Sequence, residues 1–297
     1  MSDLEARFAG RLHRHESMSR HTSWHVGGPA DWFFEPRDRE DLANFLRAIP
    51  ADLPLWWVGL GSNLLVRDGG LRGAVILTHG AFSKLEPRAD GLIWCEAGVP
   101  CARIARHCVR LGLGPAEFFA GIPGTLGGAL AMNAGAFGGE TWSHVREVEV
   151  IDRSGNIRWR AAGEYRVAYR HVTAPVAGEA FLGATLAFES RPASNNDTLR
   201  DLLVERKAKQ PIGEWSCGSV FTNPIGDHAA RLIESAGLKG RRIGGACVSP
   251  KHANFIINEG EASAADLEQL ICEVRDVVEA RFGVRLQTEV RIVGEAA

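Results

Sequence analysis

Three places in the sequence carry side chains that could transfer a proton or hold a negative charge. The segment 217–224, CGSVFTNP, places the hydroxyl of Ser219 on a turn at the start of a predicted strand. Two aromatic–arginine pairs, Tyr165-Arg166 and Tyr169-Arg170, stand four residues apart. Glu289 falls on the polar side of an alternating pattern near the C-terminus. A hydroxyl can donate a proton, a guanidinium can hold an anion, and a carboxylate can accept a proton.

Each of these side chains also has a purely structural interpretation. Serine hydroxyls are mostly solvated or cap helices, and the Tyr-Arg pairs suit a surface strand. A strand glutamate between Arg285 and Arg291 normally makes a surface ion pair worth under about 1 kcal/mol. The opposite side of the same pattern is apolar, so the side that carries Glu289 must meet either water or an active site.

A glycine-rich stretch is the clearest single feature of the chain. Residues 118–139, FFAGIPGTLGGALAMNAGAFGG, contain no charged side chain, and seven of the twenty residues 121–140 are glycine. Pro123 and the glycines break any helix long enough to span a membrane. Seven glycines inside regular elements would cost roughly 4–7 kcal/mol relative to alanine. The stretch is therefore predicted to be a loop against a large cofactor with phosphates and a flat ring, with a tightly packed structural turn as the alternative.

A second glycine segment, Gly59-x-Gly61-Ser62-Asn63-Leu64, resembles half of a dinucleotide-binding fingerprint but lacks its third glycine. A strand rather than a helix is predicted to follow it, which argues against a phosphate site at a helix N-terminus. Backbone N–H groups with the Ser62 and Asn63 side chains could hold a pyrophosphate. A hairpin turn rich in asparagine and glycine is the equally good structural interpretation.

Composition and missing motifs exclude several classes of protein. The 297 residues carry a formal net charge of −2 and are 45% hydrophobic, which argues against broad nucleic-acid binding or membrane insertion. The sequence has no Walker A loop, no nucleophile elbow, and no His or Cys spacing typical of a metal site. The N-terminus shows no apolar signal segment, and six cysteines without regular spacing suggest a reduced compartment. We therefore expect a cytoplasmic protein without a metal ion.

Periodicity and turn residues predict an α+β chain of three parts, over residues 1–80, 81–190 and 198–297. The strongest boundary signal is the segment 189–198, ESRPASNNDT. Predicted elements are two strands within 22–34, a helix over 39–49 capped by Asp38, strands at 55–58, 64–66, 74–77 and 92–95, a helix over 100–111, a hairpin of 145–152 and 157–161, a strand at 181–188, helices at 198–209 and 227–237, strands near 247–248 and 254–258, a helix opened by Ser263 and Asp266, and a strand at 284–293.

Taken in order, these segments resemble the UDP-N-acetylenolpyruvoylglucosamine reductases, the MurB family. The matching pieces are HTSWHVGGPAD, GLGSNLLV, AGIPGTLGGALAMNAGAFGGE, AYRH, CGSVFTNP, AGLKG, GGACVSPKHANFIIN and EVRIVG. Each piece alone is modest, but together they cover nearly the whole chain in one order. Only about fifty residues separate Arg170 from Ser219 in the sequence. This short separation resembles the family type that lacks an extra tyrosine-bearing loop over the substrate.

The resemblance implies an α+β fold of the vanillyl-alcohol-oxidase (PCMH-like) type, in which two lobes bind FAD and a C-terminal α+β domain covers the substrate. It implies that NADPH reduces the FAD and that UDP-N-acetylglucosamine enolpyruvate then receives a hydride at its vinyl carbon, in peptidoglycan precursor synthesis for cell-wall growth, cell shape and division. In such an enzyme the protein supplies position, charge and a proton. A monomer or a weak oligomer is expected.

The resemblance also assigns roles to single residues. It makes Arg170 the catalytic arginine in preference to Arg166, Ser219 the proton donor and Glu289 its acidic partner; Val172 stands where the family has serine. The expected FAD-binding residues are Gly59, Gly61, Ser62, Asn63, Leu64, Gly121, Ile122, Pro123, Gly124, Thr125, Gly127, Gly128, Asn133, Gly135 and Ala136. The expected substrate-binding residues are Lys209, Asn223 and His252. Phe137 replaces a commoner tyrosine.

Two other functions fit parts of the same pattern. One is another FAD-dependent oxidase or dehydrogenase of this fold that acts on a small alcohol or hydroxy acid. It would not need the third domain's cluster from Lys209 to Asn223. The other is a catalytically silent flavin- or nucleotide-binding protein, which would not need Arg170, Ser219 and Glu289 together.

Overall fold

The structure is a computed structural model that describes residues 3–191 and 196–297. Its internal contacts divide the chain into two units. The first unit holds the residues up to Arg14, Trp32–Leu60 and Gly73–Val204, and the second holds His15–Asp31, Gly61–Arg72 and Glu205–Ala297. The three-part division at residues 80 and 190–198 stays a prediction, and its boundary segment lies partly outside the described residues.

Helices and strands alternate irregularly along the described residues, as expected for an α+β chain. The α-helices are α1 (Asp3–Arg7), α2 (Arg39–Ala48), α3 (Cys101–Arg110), α4 (Leu126–Met132), α5 (Asn196–Lys209), α6 (Ala229–Ser235) and α7 (Ala264–Phe282). The strands are β1 (Leu12–Ser17), β2 (Pro29–Phe34), β3 (Leu55–Val58), β4 (Leu64–Val66), β5 (Leu71–Leu77), β6 (Leu85–Pro87), β7 (Leu92–Glu96), β8 (Leu113–Gly114), β9 (Gly135–Ala136), β10 (Gly139–Glu140), β11 (Val145–Ile151), β12 (Ile157–Ala161), β13 (Arg166–Ala168), β14 (His171–Thr173), β15 (Ala180–Ala187), β16 (Glu189–Ser190), β17 (Trp215–Ser216), β18 (Arg242–Ile243), β19 (Ala246–Val248), β20 (Ile256–Asn258) and β21 (Arg291–Val293).

The first unit contains an antiparallel sheet with the strand order β12-β11-β15-β7-β6. Helices α3 and α4 share its core, where Ile104, Leu126 and Val148 are fully buried. A second core of this unit is aromatic: the rings of Phe34 and Phe45 stack with centroids 4.0 Å apart. A further sheet has the order β1-β2-β5-β3, in which β3 and β5 are parallel.

The second unit packs a sheet of order β17-β20-β19-β18 with helices α6 and α7 around one core. Its strand β21 pairs in parallel with β4, so that Arg291–Val293 lie beside Leu64–Val66. The Asp68 carboxylate accepts hydrogen bonds of 3.0 Å from the backbone N–H groups of Ala264 and Ala265. Because these are first-turn amides of α7, Asp68 stabilises the start of that helix and ties the segment Gly61–Arg72 to it.

Predictions that rest on local signals are confirmed. The Asp38 side chain accepts a hydrogen bond from the backbone N–H of Asp41 and caps α2, and Ser263 forms a capping box with Asp266 at α7. The predicted hairpin is the antiparallel pair β11–β12, and β3 and β4 have the predicted bounds. Each of these signals lies within a few residues of the element that it starts or ends.

The strand expected in the first part of residues 22–34 is wrong, because only Pro29–Phe34 forms one. His25 and Gly27 have φ angles of 57° and 130°, which a strand does not accommodate. Trp24 is fully buried instead; its Nε1 donates to the Ile256 carbonyl at 2.8 Å. The Asn258 side chain donates to the Trp24 carbonyl at 2.8 Å. A distant side chain therefore satisfies a backbone carbonyl that a sheet would have paired, and a distant carbonyl satisfies the buried indole N–H.

The glycine-rich stretch is not one continuous loop, which corrects the prediction made for it. It contains α4 and the short pair β9–β10. Leu126, Ala129 and Leu130 are buried and follow one face of α4. The apolar contacts of this face stabilise a helix despite two interior glycines, which local propensity alone disfavours.

The predicted strand over residues 284–293 is shorter than expected, since only Arg291–Val293 pair as a strand. Thr288 forms a single bridge with Phe221. The predicted alternation of burial is nevertheless present, because Leu286 and Val290 are buried while Arg285 and Gln287 are exposed. Side-chain alternation here comes from an extended chain without a continuous ladder.

Candidate active site

Gly59 and Thr125, which belong to the two glycine segments, meet inside the first unit. A Cβ atom at Gly59 would overlap the Thr125 hydroxyl, so only glycine fits at this position. Thr125 precedes α4, yet its hydroxyl makes no capping hydrogen bond. That hydroxyl is buried and has no hydrogen-bond partner among the described residues. A buried hydroxyl without a partner is costly, so Thr125 fits a site where a polar cofactor group accepts or donates the missing bond.

Two backbone N–H groups at the start of α4 are hydrogen-bonded within the protein. The Leu126 N–H donates to the Val99 carbonyl at 2.9 Å, and the Gly127 N–H donates to the Ala97 carbonyl at 2.8 Å. A Cβ at Gly127 would come within 3.1 Å of Ala97. Gly127 therefore packs closely against the segment after β7, and its N–H is bonded within the protein.

Gly128 behaves differently from Gly127. It lies within α4 at a negative φ, and a Cβ there would meet no described heavy atom within 4 Å outside its own helix and its chain neighbours. Glycine in a helix costs about 0.5–1 kcal/mol relative to alanine, so packing inside the described protein does not explain this choice. A cofactor that approaches the helix backbone would explain it.

We expect Gly128→Ala to raise the free energy of unfolding of the flavin-free protein by about 0.5–1 kcal/mol and to lower flavin retention. Urea unfolding measures the first effect, and the ratio of absorbance near 450 nm to that at 280 nm measures the second. Gly80→Ala is the control for flavin retention, because a Cβ at Gly80 also meets no described heavy atom within 4 Å and Gly80 lies outside both glycine segments. Its φ of 89° is strained for alanine, so this control should lose stability and still retain flavin. Full flavin retention by Gly128→Ala would remove Gly128 from the cofactor site.

Gly61, Ser62 and Asn63 belong to the second unit. Gly61 has a φ of 60°, and a Cβ there would overlap the His21 carbonyl. The Asn63 side-chain amide donates to the Glu289 carbonyl at 3.0 Å, and the Asn63 carbonyl accepts from the Arg291 N–H at 3.0 Å. Asn63 is thus bonded on both sides to the C-terminal segment.

The second unit brings Ser219 and Glu289 close together. The Glu289 N–H donates to the carbonyl of Val220, the residue after Ser219, at 2.8 Å. Burial raises the pKa of the Cys217 thiol well above its ordinary value, and the nearby Glu289 charge raises it further. The predicted hydroxyl and carboxylate therefore stand on adjacent extended segments.

Asn254 holds the segment that carries Ser219, a role that sequence analysis missed. Its side chain accepts from the Phe221 N–H at 3.0 Å and donates to the Phe221 carbonyl at 2.8 Å, while its carbonyl accepts from the Val220 N–H at 2.9 Å. Asn254 is 4% exposed, so these bonds are shielded from water. The bonded partner Phe221 lies 33 residues away in the sequence. The sequence therefore shows an asparagine within an apolar run but not the groups that it bonds.

Arg170 occupies a two-residue turn between β13 and β14 in the first unit. Ala168 and His171 pair across this turn, and Arg170 has a φ of 54°. Its Nη1 donates to the Asn133 carbonyl at 3.3 Å and its Nη2 to the Gly135 carbonyl at 3.1 Å. Arg166 begins β13 with an exposed side chain. The structure therefore places Arg170, and not Arg166, on the glycine-rich stretch.

The three expected substrate residues all lie in the second unit but have different surroundings. Lys209 is exposed and pairs with Glu205 one helical turn earlier, and the Asn223 side chain accepts from the Ala229 N–H at 3.1 Å. Burial, followed by the Lys239 charge, lowers the pKa of His252 below its ordinary value. The His252 Nδ1 atom is buried without a hydrogen-bond partner in the described chain. Of the three, only His252 has a buried polar atom left for a ligand.

The described residues lack two further features. No group of three or more His, Cys, Asp or Glu side chains in residues 3–191 and 196–297 is arranged to hold a metal ion. Within the same residues, no helix combines the length and apolar character needed to cross a membrane.

Two family models match the chain. Residues 30–160 match an FAD binding domain, and residues 210–293 match the UDP-N-acetylenolpyruvoylglucosamine reductase C-terminal domain. The predicted α+β, FAD-binding fold class is confirmed by the first match and by the solved structure described next.

Similar proteins cover almost the full chain. A UDP-N-acetylenolpyruvoylglucosamine reductase of Alkalilimnicola ehrlichii is 59% identical over 97% of this chain and 96% of its own length. One from Methylococcus capsulatus is 56% identical over 95% and 93%. The crystal structure of UDP-N-acetylenolpyruvylglucosamine reductase (MurB) from Thermus caldophilus superimposes with a TM-score of 0.79 at 32% identity, covering 95% of this chain and 98% of that one.

Proposed function

The chain belongs to the UDP-N-acetylenolpyruvoylglucosamine reductase family, and we propose that the residues described above carry out the reaction of that family. It is an FAD-dependent oxidoreductase that reduces UDP-N-acetylglucosamine enolpyruvate in peptidoglycan precursor synthesis, with NADPH as co-substrate. The observation that carries this assignment is identity of 59% across 97% of the chain.

The first unit offers a fitting place for FAD at Gly59 and Thr125. The unpartnered Thr125 hydroxyl and the open Cβ position of Gly128 are what a bound cofactor would use. When bound, FAD supplies the hydride for the vinyl carbon of the substrate after accepting one from NADPH. In the first unit we also propose as FAD-binding residues Gly121, Ile122, Pro123, Gly124, Gly127, Asn133, Gly135 and Ala136. In the second unit we propose Gly61, Ser62, Asn63 and Leu64.

We propose that Arg170 stabilises negative charge on the substrate. Hydride addition at the vinyl carbon leaves a carbanion on the carbon that bears the carboxylate. The carboxylate delocalises it as an enediolate dianion, so the transition state gains anionic charge. A guanidinium already held in place stabilises such charge without reorganisation during the reaction. The bonds from Arg170 to the Asn133 and Gly135 carbonyls support this role, because they hold the guanidinium in place through neutral acceptors.

Ser219 is the proposed proton donor, and Glu289 its partner. An alcohol is a weak acid in water, but a strongly basic carbanion beside it makes the transfer feasible. The register of Val220 against Glu289 supports the pairing, since it places the carboxylate next to the segment of the hydroxyl. Asn254 acts through that segment, holding Val220 and Phe221 in place.

For substrate binding we propose His252 as the residue with the strongest structural support. Its pKa is lowered by burial, so the ring is neutral near pH 7 and its unbonded Nδ1 can hydrogen-bond a sugar or phosphate group. Lys209 and Asn223 remain proposed contacts for the diphosphate or the sugar. A cytoplasmic location, a monomer or weak oligomer, and roles in cell shape and division are proposed with them.

An anaerobic half-reaction assay tests the proposed function. The purified protein should be yellow with absorbance near 450 nm, NADPH should bleach it, and UDP-N-acetylglucosamine enolpyruvate should restore the colour with one product molecule per flavin. Restoration by a small alcohol's ketone but not by the enolpyruvyl sugar would indicate another oxidoreductase of this fold. Bleaching without restoration by any such acceptor would indicate a silent flavin-binding protein.

A further inference from the structure

Glu140 contacts both residues whose carbonyls hold Arg170. The Glu140 side chain accepts a hydrogen bond of 3.0 Å from the Asn133 Nδ2 atom. Its backbone pairs with Gly135 in the antiparallel ladder β9–β10. Asn133 and Gly135 are the residues whose carbonyl oxygens accept from the Arg170 guanidinium. One acidic residue thus supports both acceptors by separate means.

The side chain of Asn133 is fully occupied within the first unit. Besides the bond to Glu140, its Nδ2 donates to the Ala168 carbonyl at 3.2 Å, and its Oδ1 accepts from the Trp142 N–H at 3.1 Å. Asn133 is 1% exposed and ends α4 in the left-handed region, with φ of 44°. Both amide hydrogens are therefore used, and the direction of its backbone carbonyl is fixed at a position that asparagine tolerates better than most residues.

These contacts also secure the turn that carries Arg170. Ala168 is the last residue before the two-residue turn, so the bond from Asn133 holds the base of the hairpin. Arg170 itself has a φ of 54°, which side-chain-bearing residues seldom adopt without support from their surroundings. The Asn133 side chain thus bonds to the hairpin, and its backbone carbonyl accepts from the guanidinium.

We propose that Glu140 is a positioning residue for Arg170, acting through Asn133 and Gly135. Its carboxylate accepts from an amide hydrogen, a charge-assisted bond that is the strongest of the three that orient the Asn133 amide. Without it the amide is held by two neutral bonds only, so its bond to the Ala168 carbonyl weakens and the turn loosens. The Asn133 side chain then contributes to the site by holding Arg170, and an FAD contact at this position would involve its backbone. This inference rests on the proposed role of Arg170.

The test compares Glu140→Ala, Glu140→Gln and the control Glu86→Ala, all as FAD-loaded full-length protein. Glu86 is exposed on β6 and gives the same change in charge within the same unit. We expect Glu140→Ala to slow flavin reoxidation by the enolpyruvyl sugar about 10–100-fold, with reduction by NADPH unchanged. Glu140→Gln keeps an acceptor for Asn133 and should return to within about threefold of the parent protein.

Two further readouts separate positioning from general damage. In an Arg170→Ala background, Glu140→Ala should cause no additional slowing, because the group it positions is gone. Trypsin should also cleave after Arg170 about tenfold faster in Glu140→Ala than in the parent or the control, since the hairpin is released. Unchanged tryptic cleavage, or slowing of the same size in the Arg170→Ala background, would overturn the inference. If Arg170→Ala reoxidises normally while cleavage still accelerates, the catalytic assignment of Arg170 fails and the holding role of Glu140 stands.

Discussion

Ser219→Ala should slow reoxidation of the reduced flavin by UDP-N-acetylglucosamine enolpyruvate by about 10²–10⁴-fold, the range for loss of a general acid. Reduction of the flavin by NADPH should stay within about twofold, because no proton donor of the protein is required for that hydride transfer. Anaerobic stopped-flow absorbance near 450 nm measures the two half-reactions separately.

The structure provides a matched control for this experiment. Thr222 lies three residues further along the same segment, and its hydroxyl donates to the Gln287 carbonyl at 3.3 Å. Thr222→Val removes a hydroxyl at constant shape and should leave both half-reactions nearly unchanged. Equal slowing of both half-reactions by Ser219→Ala would remove Ser219 from the role of proton donor, because only the second half-reaction consumes the proton.

Arg39→Met should lower the free energy of unfolding by about 3–5 kcal/mol, the usual cost of removing one partner of a buried ion pair. Arg39 donates to Glu96 at 2.6 Å and to Glu149 at 2.8 Å, and the two glutamates are 2% and 9% exposed. Burial alone would lower the Arg39 pKa, but the hydrogen bonds to both carboxylates raise it above its ordinary value. Methionine would leave two buried carboxylates without their cation.

Urea unfolding measures the difference in free energy of unfolding between Arg39→Met and the parent protein. Arg47→Met is the control in the same helix, because Arg47 is exposed and contacts neutral partners. If Arg39→Met lowers the free energy of unfolding by no more than Arg47→Met does, the prediction is wrong.

What could be predicted from the sequence depends on how far apart the determining contacts lie. Asp38 and Ser263 start helices through bonds that reach three residues, and both were predicted with their elements. The turn at His25 was not, because the bonds that hold Trp24 come from residues more than 230 positions away. Local chemistry is visible in the sequence, whereas a polar partner from the other end of a unit is not.

The candidate site divides in the same way. Ser219, Glu289 and Arg170 are proposed through residue type and resemblance, and the choice of Arg170 over Arg166 is supported by its contacts with the glycine-rich stretch. Asn254 and Glu140 were missed, since an asparagine or a glutamate in a chain gives no sign of which backbone groups it holds. Burial of such polar groups arises only after the tertiary contacts form.

Strand β4 pairs in parallel with β21, a strand that is synthesised much later. Leu64–Val66 leave the ribosome more than two hundred residues before Arg291–Val293, with which they pair. The Asn63 side-chain amide likewise gains its acceptor, the Glu289 carbonyl, only after residue 289 has been synthesised. A nascent chain that still lacks Arg291–Val293 therefore has an unpaired strand directly after Ser62 and Asn63. This stretch of the second unit can close only after residue 293 has been synthesised, and contacts of such long sequence separation are slow to form.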